Sequence, residues 1–380
     1  MQGLVLTEIV GGVGVITLNR PKALNALNLA MVRELRDALE AWRHDASVHA
    51  VMLQGSARTQ PDGSLSTRHF CAGGDIRFMH EAATTADLTL DDFFTEEYAL
   101  DHVIHVYPKP VIAWLEGIVM GGGMGLAQGA SLRVATPGIK MAMPETRIGL
   151  FPDVAGGYFL SRLPGATGEY LGVVGQAFGA GDALHWGLAD VCVPDDARQA
   201  FLQGLAQQQV ADGTEAVARA QALAGGEVPP RELSLNQAAI DRHFAADAGA
   251  DSVDQMAASL QAASASADAD AWAQAAWHHM QGNSPLMMKV TLLQIRRARA
   301  MSLADVFRME RNLVRQCFAL RKGHASETVE GVRALAVDKD HQPRWQPATL
   351  AEVAAEQVEA FFQPPWPAHA HPLRDLVDPA

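Results

Sequence analysis

Two acids stand in unusual company. Glu145 occupies Met143-Pro144-Glu145-Thr146, straight after a strand-like run, and Asp153 follows eight residues later in Phe151-Pro152-Asp153-Val154. Apolar flanks disfavour a carboxylate and lift its pKa toward values useful for general acid or base work, or for nucleophilic attack. The structural alternatives are a helix cap for Asp153 and a surface-turn acid for Glu145. Three glycine clusters lie nearby in the chain: Gly73-Gly74, Gly121-Gly122-Gly123 and Gly156-Gly157. Glycine lets backbone approach a ligand closely, and helix N-termini present free N–H groups. Two such turns facing each other would form an oxyanion hole able to polarise a thioester carbonyl. Taken singly, each cluster is also accounted for by a tight turn and close packing.

Other chemistries lack their residues. The 121–125 stretch is not the Gly-x-Gly-x-x-Gly of a dinucleotide site, and neither a Gly-x-Ser-x-Gly elbow nor a phosphate-binding lysine loop is present. No Cys/His set has metal-ligand spacing, so no metal is expected. His102 and His105 share a helix face, and the Asp101–His105 pair is expected to be solvated. Met120, Met124, Met141 and Met143 read as packing residues.

Strand and helix must alternate to position these groups. Short strands are predicted over 4–9 and 13–18, joined through Gly11-Gly12, and Asn28 stands at the N-cap of a helix running to about His44. Strands follow over 50–54, 111–115, 132–135 and 139–142, with helices over about 91–106 and 121–129. The 55–69 segment reads as an exposed loop. Beyond Asp195 strand-like runs disappear, and Ser284-Pro285 opens one of several predicted helices. The division expected is a core over 1–212, a linker over 213–235, a helical region over 236–363 and an extended tail over 364–380. The 264–270 stretch is expected to be a loop.

The chain has 380 residues, 43 acids against 30 bases, and a net charge of -13. That balance argues against a nucleic-acid binder, which shows a basic face. Three cysteines, an odd number and widely spaced, fit a reducing compartment rather than a disulfide framework. No run of about 18 uncharged apolar residues suggests a membrane helix. The N-terminus has no targeting pattern. A cytoplasmic location is the expectation, with a homo-oligomer as one possibility.

Five stretches together resemble the crotonase (enoyl-CoA hydratase/isomerase) superfamily: Ile16 to Ala26, Cys71 to Arg77, Gly117 to Gly125, Met143 to Thr146 and Ile148 to Val154. Within it, the branch of hydrolases acting on 3-hydroxyisobutyryl-CoA is most similar, because the likeness continues through Glu330 to Ala334, Asp338 to Asp340 and Pro343 to Trp345. It covers roughly residues 3–350. The resemblance implies an α/β fold: a crotonase-like spiral of ββα units followed by a mostly helical C-terminal region. It implies an acyl-CoA substrate, no separate cofactor, and a place in valine breakdown. By the same resemblance the amides of Gly74 and Gly122 form the oxyanion hole, Glu145 and Asp153 are the catalytic acids, and Glu97, Asp75, Ile76 and Arg77 bind substrate.

One departure decides between activities. Hydratases of the superfamily carry a first glutamate on the helix opened by the triple glycine, where this chain has Gly125. The hydrolase branch has small residues there, so hydrolysis is implied. Glu116 is a second departure, expected to alter the field near the acyl pocket. Arg20, Lys22, Arg68 and Arg77 are the cations expected to meet coenzyme A phosphates.

Overall fold

The computed structural model describes residues 3–60, 62, 64–225, 227–249, 251–265 and 270–379. Residues 266–269 of the expected 264–270 loop, Pro61 and Gly63 of the 55–69 loop, and Gly226 of the expected linker lie outside the described residues.

The chain starts with a hairpin, β1 (Val5–Val10) and β2 (Val13–Leu18), antiparallel through Gly11-Gly12. Helix α1 (Leu29–Arg43) begins where Asn28 accepts from the Met31 N–H at 2.9 Å. It buries Met31, Val32, Leu35, Leu39 and Trp42 on one face. Then come β3 (Ala50–Gly55), α2 (Ile76–Thr85), α3 (Thr89–His105), β4 (Val111–Leu115), β5 (Ile118–Met120), α4 (Gly122–Gln128), β6 (Leu132–Ala135) and β7 (Lys140–Ala142). Helices α5 (Gly156–Leu160), α6 (Thr167–Val174) and α7 (Ala180–His185) lead to the short β8 (Val191–Cys192). Helices α2, α5, α6 and α7 and the short strands β5 and β8 were not announced by the hydrophobic pattern. The N-cap of α2 is Asp75, which accepts from the Phe78 N–H.

The large sheet has the order β1-β2-β3-β4-β6-β8, parallel after the first pair. Its central strands β2, β3 and β4 are buried on both faces, as parallel strands covered on both sides must be. Alternate residues serve two cores. Ile16, Leu18, Val51, Leu53, Ala113 and Leu115 face the main one. Val13, Val15, Ala50, Met52, Ile112 and Trp114 face a second layer. That layer is α8 (Ala197–Gln207) and α9 (Gly213–Gln221), with Trp114 stacked on Phe201 at 5.5 Å. The segment expected to be a linker from 213 therefore opens with a helix: Asp212 caps it, and Ala216 and Ala220 are buried against the sheet.

Three turns of the chain wind in a spiral. Each places one strand in the large sheet, crosses over, and adds to a small second sheet. β5 pairs with β7 there, and Cys71 bridges to Val119. The remaining helices are α10 (Gln237–Phe244), α11 (Val253–Ser264), α12 (Ala271–Gln281), α13 (Pro285–Ala298), α14 (Leu303–Ala319), α15 (Glu327–Val332) and α16 (Ala355–Phe361). Ser284 caps α13, and Pro285 is its first residue. One contiguous core runs from Ile16 to Leu373, so the C-terminal helices share it. Helices α13 and α14 pack on α5, and α15 packs on α2 and on the 3-10 turn Glu145–Ile148.

The tail beyond 364 is docked rather than free. Leu373 and His371 are buried, Arg308 donates to the Leu373 carbonyl at 3.2 Å, and Asp378 meets His102 at 3.1 Å. The expectation of a solvated Asp101–His105 pair fails for the same reason: α3 is covered by α14 and the tail, and Asp101 is fully buried.

Candidate active site

The small sheet brings the glycine turns together. Cys71 lies opposite Val119, and Val119 opposite Met141. Carrying that register past the strand ends sets Gly74 beside Gly122, and Glu145 next to the start of α4. Each turn of the spiral thus delivers one functional group to the same edge. Gly122 is the first residue of α4, so its N–H has no partner within the helix. At Gly74 the flanking Gly73 carbonyl and Asp75 N–H bond to Leu27, and the Gly74 N–H points to the other side. A Cβ on Gly122 would sit 3.5 Å from the Gly74 nitrogen and 2.7 Å from Glu97 Oε1. A Cβ on Gly121, whose φ is +50°, would sit 3.0 Å from Glu145 Oε1. Only glycine leaves this floor open to a ligand.

Three carboxyls rise from that floor. Glu97 comes from α3, Glu145 from the 3-10 turn after β7, and Asp153 from the loop before α5, and all three are buried. They line one cavity of about 220 Å³ whose apolar wall includes Ile76, Met79, Leu150 and Val154. Tyr98 donates to Asp153 Oδ2 at 2.7 Å. Burial pushes Asp153 up to about 6, held back by that bond. Glu145 is raised well above the usual carboxylate range by burial and then by the Asp153 charge. Glu97 is raised by burial, then by Asp153 and Asp101. Glu97 Oε1 and Glu145 Oε2 have no hydrogen-bond partner among the described residues. Neither structural alternative for the two motif acids holds, because Glu145 is inside the protein and Ala155, not Asp153, is the cap residue of α5.

The expected substrate segment 74–77 lies partly in the cavity wall and partly outside it. Ile76 lines the cavity, but Asp75 and Arg77 do not. The Asp75 carboxyl is engaged by the α2 cap and by Arg20 at 2.8 Å, and Arg77 is exposed on the first turn of α2. Arg68 pairs with Glu116, which Arg198 also meets, each at 3.4 Å. Glu116 is thus paired with two arginines and is not among the residues lining the cavity. The sequence reading passed over four contributors. Tyr98 adjoins Glu97 on α3, and Arg147 follows the Pro-Glu-Thr motif into the cavity wall. Leu335 arrives from a π-helical turn (Arg333–Val337) beyond α15. Asp101 lies one turn beyond Glu97, with both carboxyl oxygens unpartnered among the described residues. Only Tyr98 and Arg147 had a local signal, their adjacency to motif acids.

Gly125 is packed shut. A Cβ there would meet Val154 Cβ at 2.6 Å and Asp101 Oδ2 at 2.9 Å. No side chain fits at this position of α4 without moving the loop that carries Asp153.

No helix among the described residues is long and apolar enough to cross a membrane, and none of their His, Cys, Asp and Glu form a group of three suited to a metal.

A spiral of ββα turns with two adjoining glycine turns and buried acids defines a class of fold and site. Residues 13–362 match the family model described as enoyl-CoA hydratase/isomerase, and the chain belongs to that family. It is 39% identical over 362 residues to the mitochondrial 3-hydroxyisobutyryl-CoA hydrolase of Danio rerio, covering 94% of this chain and 89% of that protein. It is 34% identical to 3-hydroxyisobutyryl-CoA hydrolase 1 of Arabidopsis thaliana, covering 95% and 92%. Among solved structures, a carnitinyl-CoA dehydratase from Mycobacterium thermoresistibile superposes with a TM-score of 0.81 at 36% identity, covering 96% of this chain and 97% of that one. An enoyl-CoA hydratase from Rhodobacter sphaeroides 2.4.1 superposes at 0.82 with 32% identity, covering 96% and 98%.

Proposed function

We propose that this chain hydrolyses short 3-hydroxyacyl-CoA thioesters, 3-hydroxyisobutyryl-CoA above all, to the free hydroxy acid and coenzyme A, a step of valine breakdown. The names of its curated relatives support this. The observation that carries it is Gly125: hydration needs a second acid there, and Val154 with Asp101 fills the space such a side chain would need. In this scheme the thioester oxygen accepts from the Gly74 and Gly122 N–H groups, which are worth most where charge develops in the transition state. Glu145 supplies the reacting oxygen, its own as nucleophile or that of a water it deprotonates. Single turnover in labelled water separates the two. Asp153 holds the acyl 3-hydroxyl and assists proton transfer, and Glu97 borders the acyl group above Gly122. No cofactor takes part, coenzyme A being part of the substrate. The three free buried cysteines suit a reducing compartment, the cytoplasm on this reading.

Thiol release from 3-hydroxyisobutyryl-CoA, isobutyryl-CoA and crotonyl-CoA tests the assignment, with crotonyl-CoA hydration followed in parallel. The hydroxylated thioester is expected to turn over fastest, because a site built to bond a hydroxyl rejects the deoxy analogue by up to about 10⁴-fold. Glu145→Gln is expected to lower kcat by about 10²–10⁴-fold while coenzyme A still binds. Hydration of crotonyl-CoA outpacing all thiol release would overturn the proposal in favour of a hydratase.

A further inference from the structure

The loop carrying Asp153 is held from the far end of the chain. Val154 (φ 53°) and Ala155 (φ 67°) are consecutive non-glycine residues in the left-handed region, an arrangement side chains disfavour and a loop does not keep unaided. Glu310, fully buried on α14, faces this turn. Its Oε2 accepts from the Ala155 N–H at 2.8 Å and its Oε1 from the Gly157 N–H at 2.8 Å. Gln294 on α13 donates to the Pro152 carbonyl at 2.6 Å and to Glu310 Oε1 at 2.9 Å. The backbone is therefore gripped on both sides of Asp153. Gly157 permits the approach, since a Cβ there would lie 3.1 Å from Glu310 Oε1 and 3.2 Å from Gln294 Nε2. Burying a carboxylate is costly, and an apolar filling is often at least as stable, so stability alone does not account for an acid at this place.

We propose that Glu310, assisted by Gln294, is a positioning residue for Asp153: it holds the 152–157 turn so that the Asp153 carboxyl meets Tyr98 and faces the cavity. The helical C-terminal region thereby takes part in substrate discrimination through a residue that never touches substrate. This rests on the reading of Asp153 as the group that binds the acyl 3-hydroxyl.

The test compares kcat/KM for 3-hydroxyisobutyryl-CoA and isobutyryl-CoA in the native enzyme, Glu310→Gln, Asp153→Asn and the double variant. In Glu310→Gln one carboxyl oxygen becomes an amide that faces a backbone N–H. Misplacement of a reacting group by about 1 Å costs roughly 10²-fold, so the rate on the hydroxylated thioester is expected to fall about 10–100-fold. The preference for it over isobutyryl-CoA should fall by at least about 10-fold. A loss of folded enzyme scales both substrates equally and leaves that ratio alone. On the Asp153→Asn background the Glu310 change should add almost nothing, because the group it positions is already gone. An unchanged ratio in Glu310→Gln, or a full additive loss in the double variant, overturns the proposal. An unchanged ratio in Asp153→Asn instead overturns the reading of Asp153 on which it rests. If Glu310→Gln does not fold, Gln294→Met carries the same comparison, with a smaller fall in the ratio expected and no change overturning the idea.

Discussion

At the scale of single residues, the cavity keeps its acids out of bulk solvent. Asp153 is buried, yet Tyr98 stabilises its charged form through a 2.7 Å hydrogen bond. Burial pushes its pKa up and that bond pulls it down. Catalysis as proposed needs Glu145 and Asp153 ionised, so kcat/KM should rise with pH through a limb to which both contribute. Tyr98→Phe removes the donor and is expected to move that limb upward. A hydrogen bond to a charged group is worth about 1.5–3 kcal/mol, or about one to two pH units. A pH profile of thiol release with the two proteins reads the shift, and a limb that stays put or moves down would refute the role given to Tyr98.

At the scale of elements, α4 is the piece with no tolerance. It starts at Gly122, runs for seven residues, and is buried through Ala127. Gly125 lies where α4 meets both α3 and the Asp153 loop. The contacts a Cβ would make there involve Val154 Cβ, which is attached directly to the backbone, and Asp101 Oδ2, which is fully buried. Gly125→Ala is expected to destabilise the protein by about 1–3 kcal/mol, the usual cost of overpacking. Because Val154 adjoins Asp153, activity should fall with it. Urea denaturation alongside kcat checks both. Unchanged stability would mean that α3 or the loop yields more easily than its packing implies.

At the scale of the whole molecule, several buried acids share one neighbourhood. Glu97, Asp101 and Glu145 are all raised well above their ordinary values, chiefly by burial. An acid whose folded pKa is raised contributes stability that is fully present below its unfolded value and is lost as pH rises through the folded value. For Asp153 that window opens near 3.8 and closes near 6. Glu97, Asp101 and Glu145 lose their contribution in the same direction, as pH rises. These groups should therefore make the protein more stable at pH 5 than at pH 8. Asp101 makes no hydrogen bond that an amide would forfeit among the described residues. Asp101→Asn is expected to be more stable than the native protein once the pH exceeds the ordinary aspartate value, and the gain should be larger at pH 8 than at pH 5. Denaturation at the two pH values measures this. An equal effect at both would show that Asp101 does not titrate in that range.

What was legible in the sequence was local chemistry. The Gly11-Gly12 hairpin, the Asn28 cap, the Ser284-Pro285 helix start and the four parallel strands of the first half each follow from side-chain periodicity or turn preference within a few residues. Gly74, Gly122, Glu145 and Asp153 were readable because each sits in a short motif, and the sheet register then makes neighbours of the first three. What only the tertiary structure decided depends on packing between distant segments. Helix α9 forms in a Gly- and Pro-flanked stretch because Ala216 and Ala220 find the second face of the sheet. The tail is held because Asp378 reaches His102, 276 positions away. Asp75 caps α2 and also meets Arg20, 55 positions apart. Glu310 grips the Asp153 loop across 155 residues. No local pattern encodes such a pairing, because the desolvation and hydrogen bonding that give these groups their roles exist only once the core has closed around them.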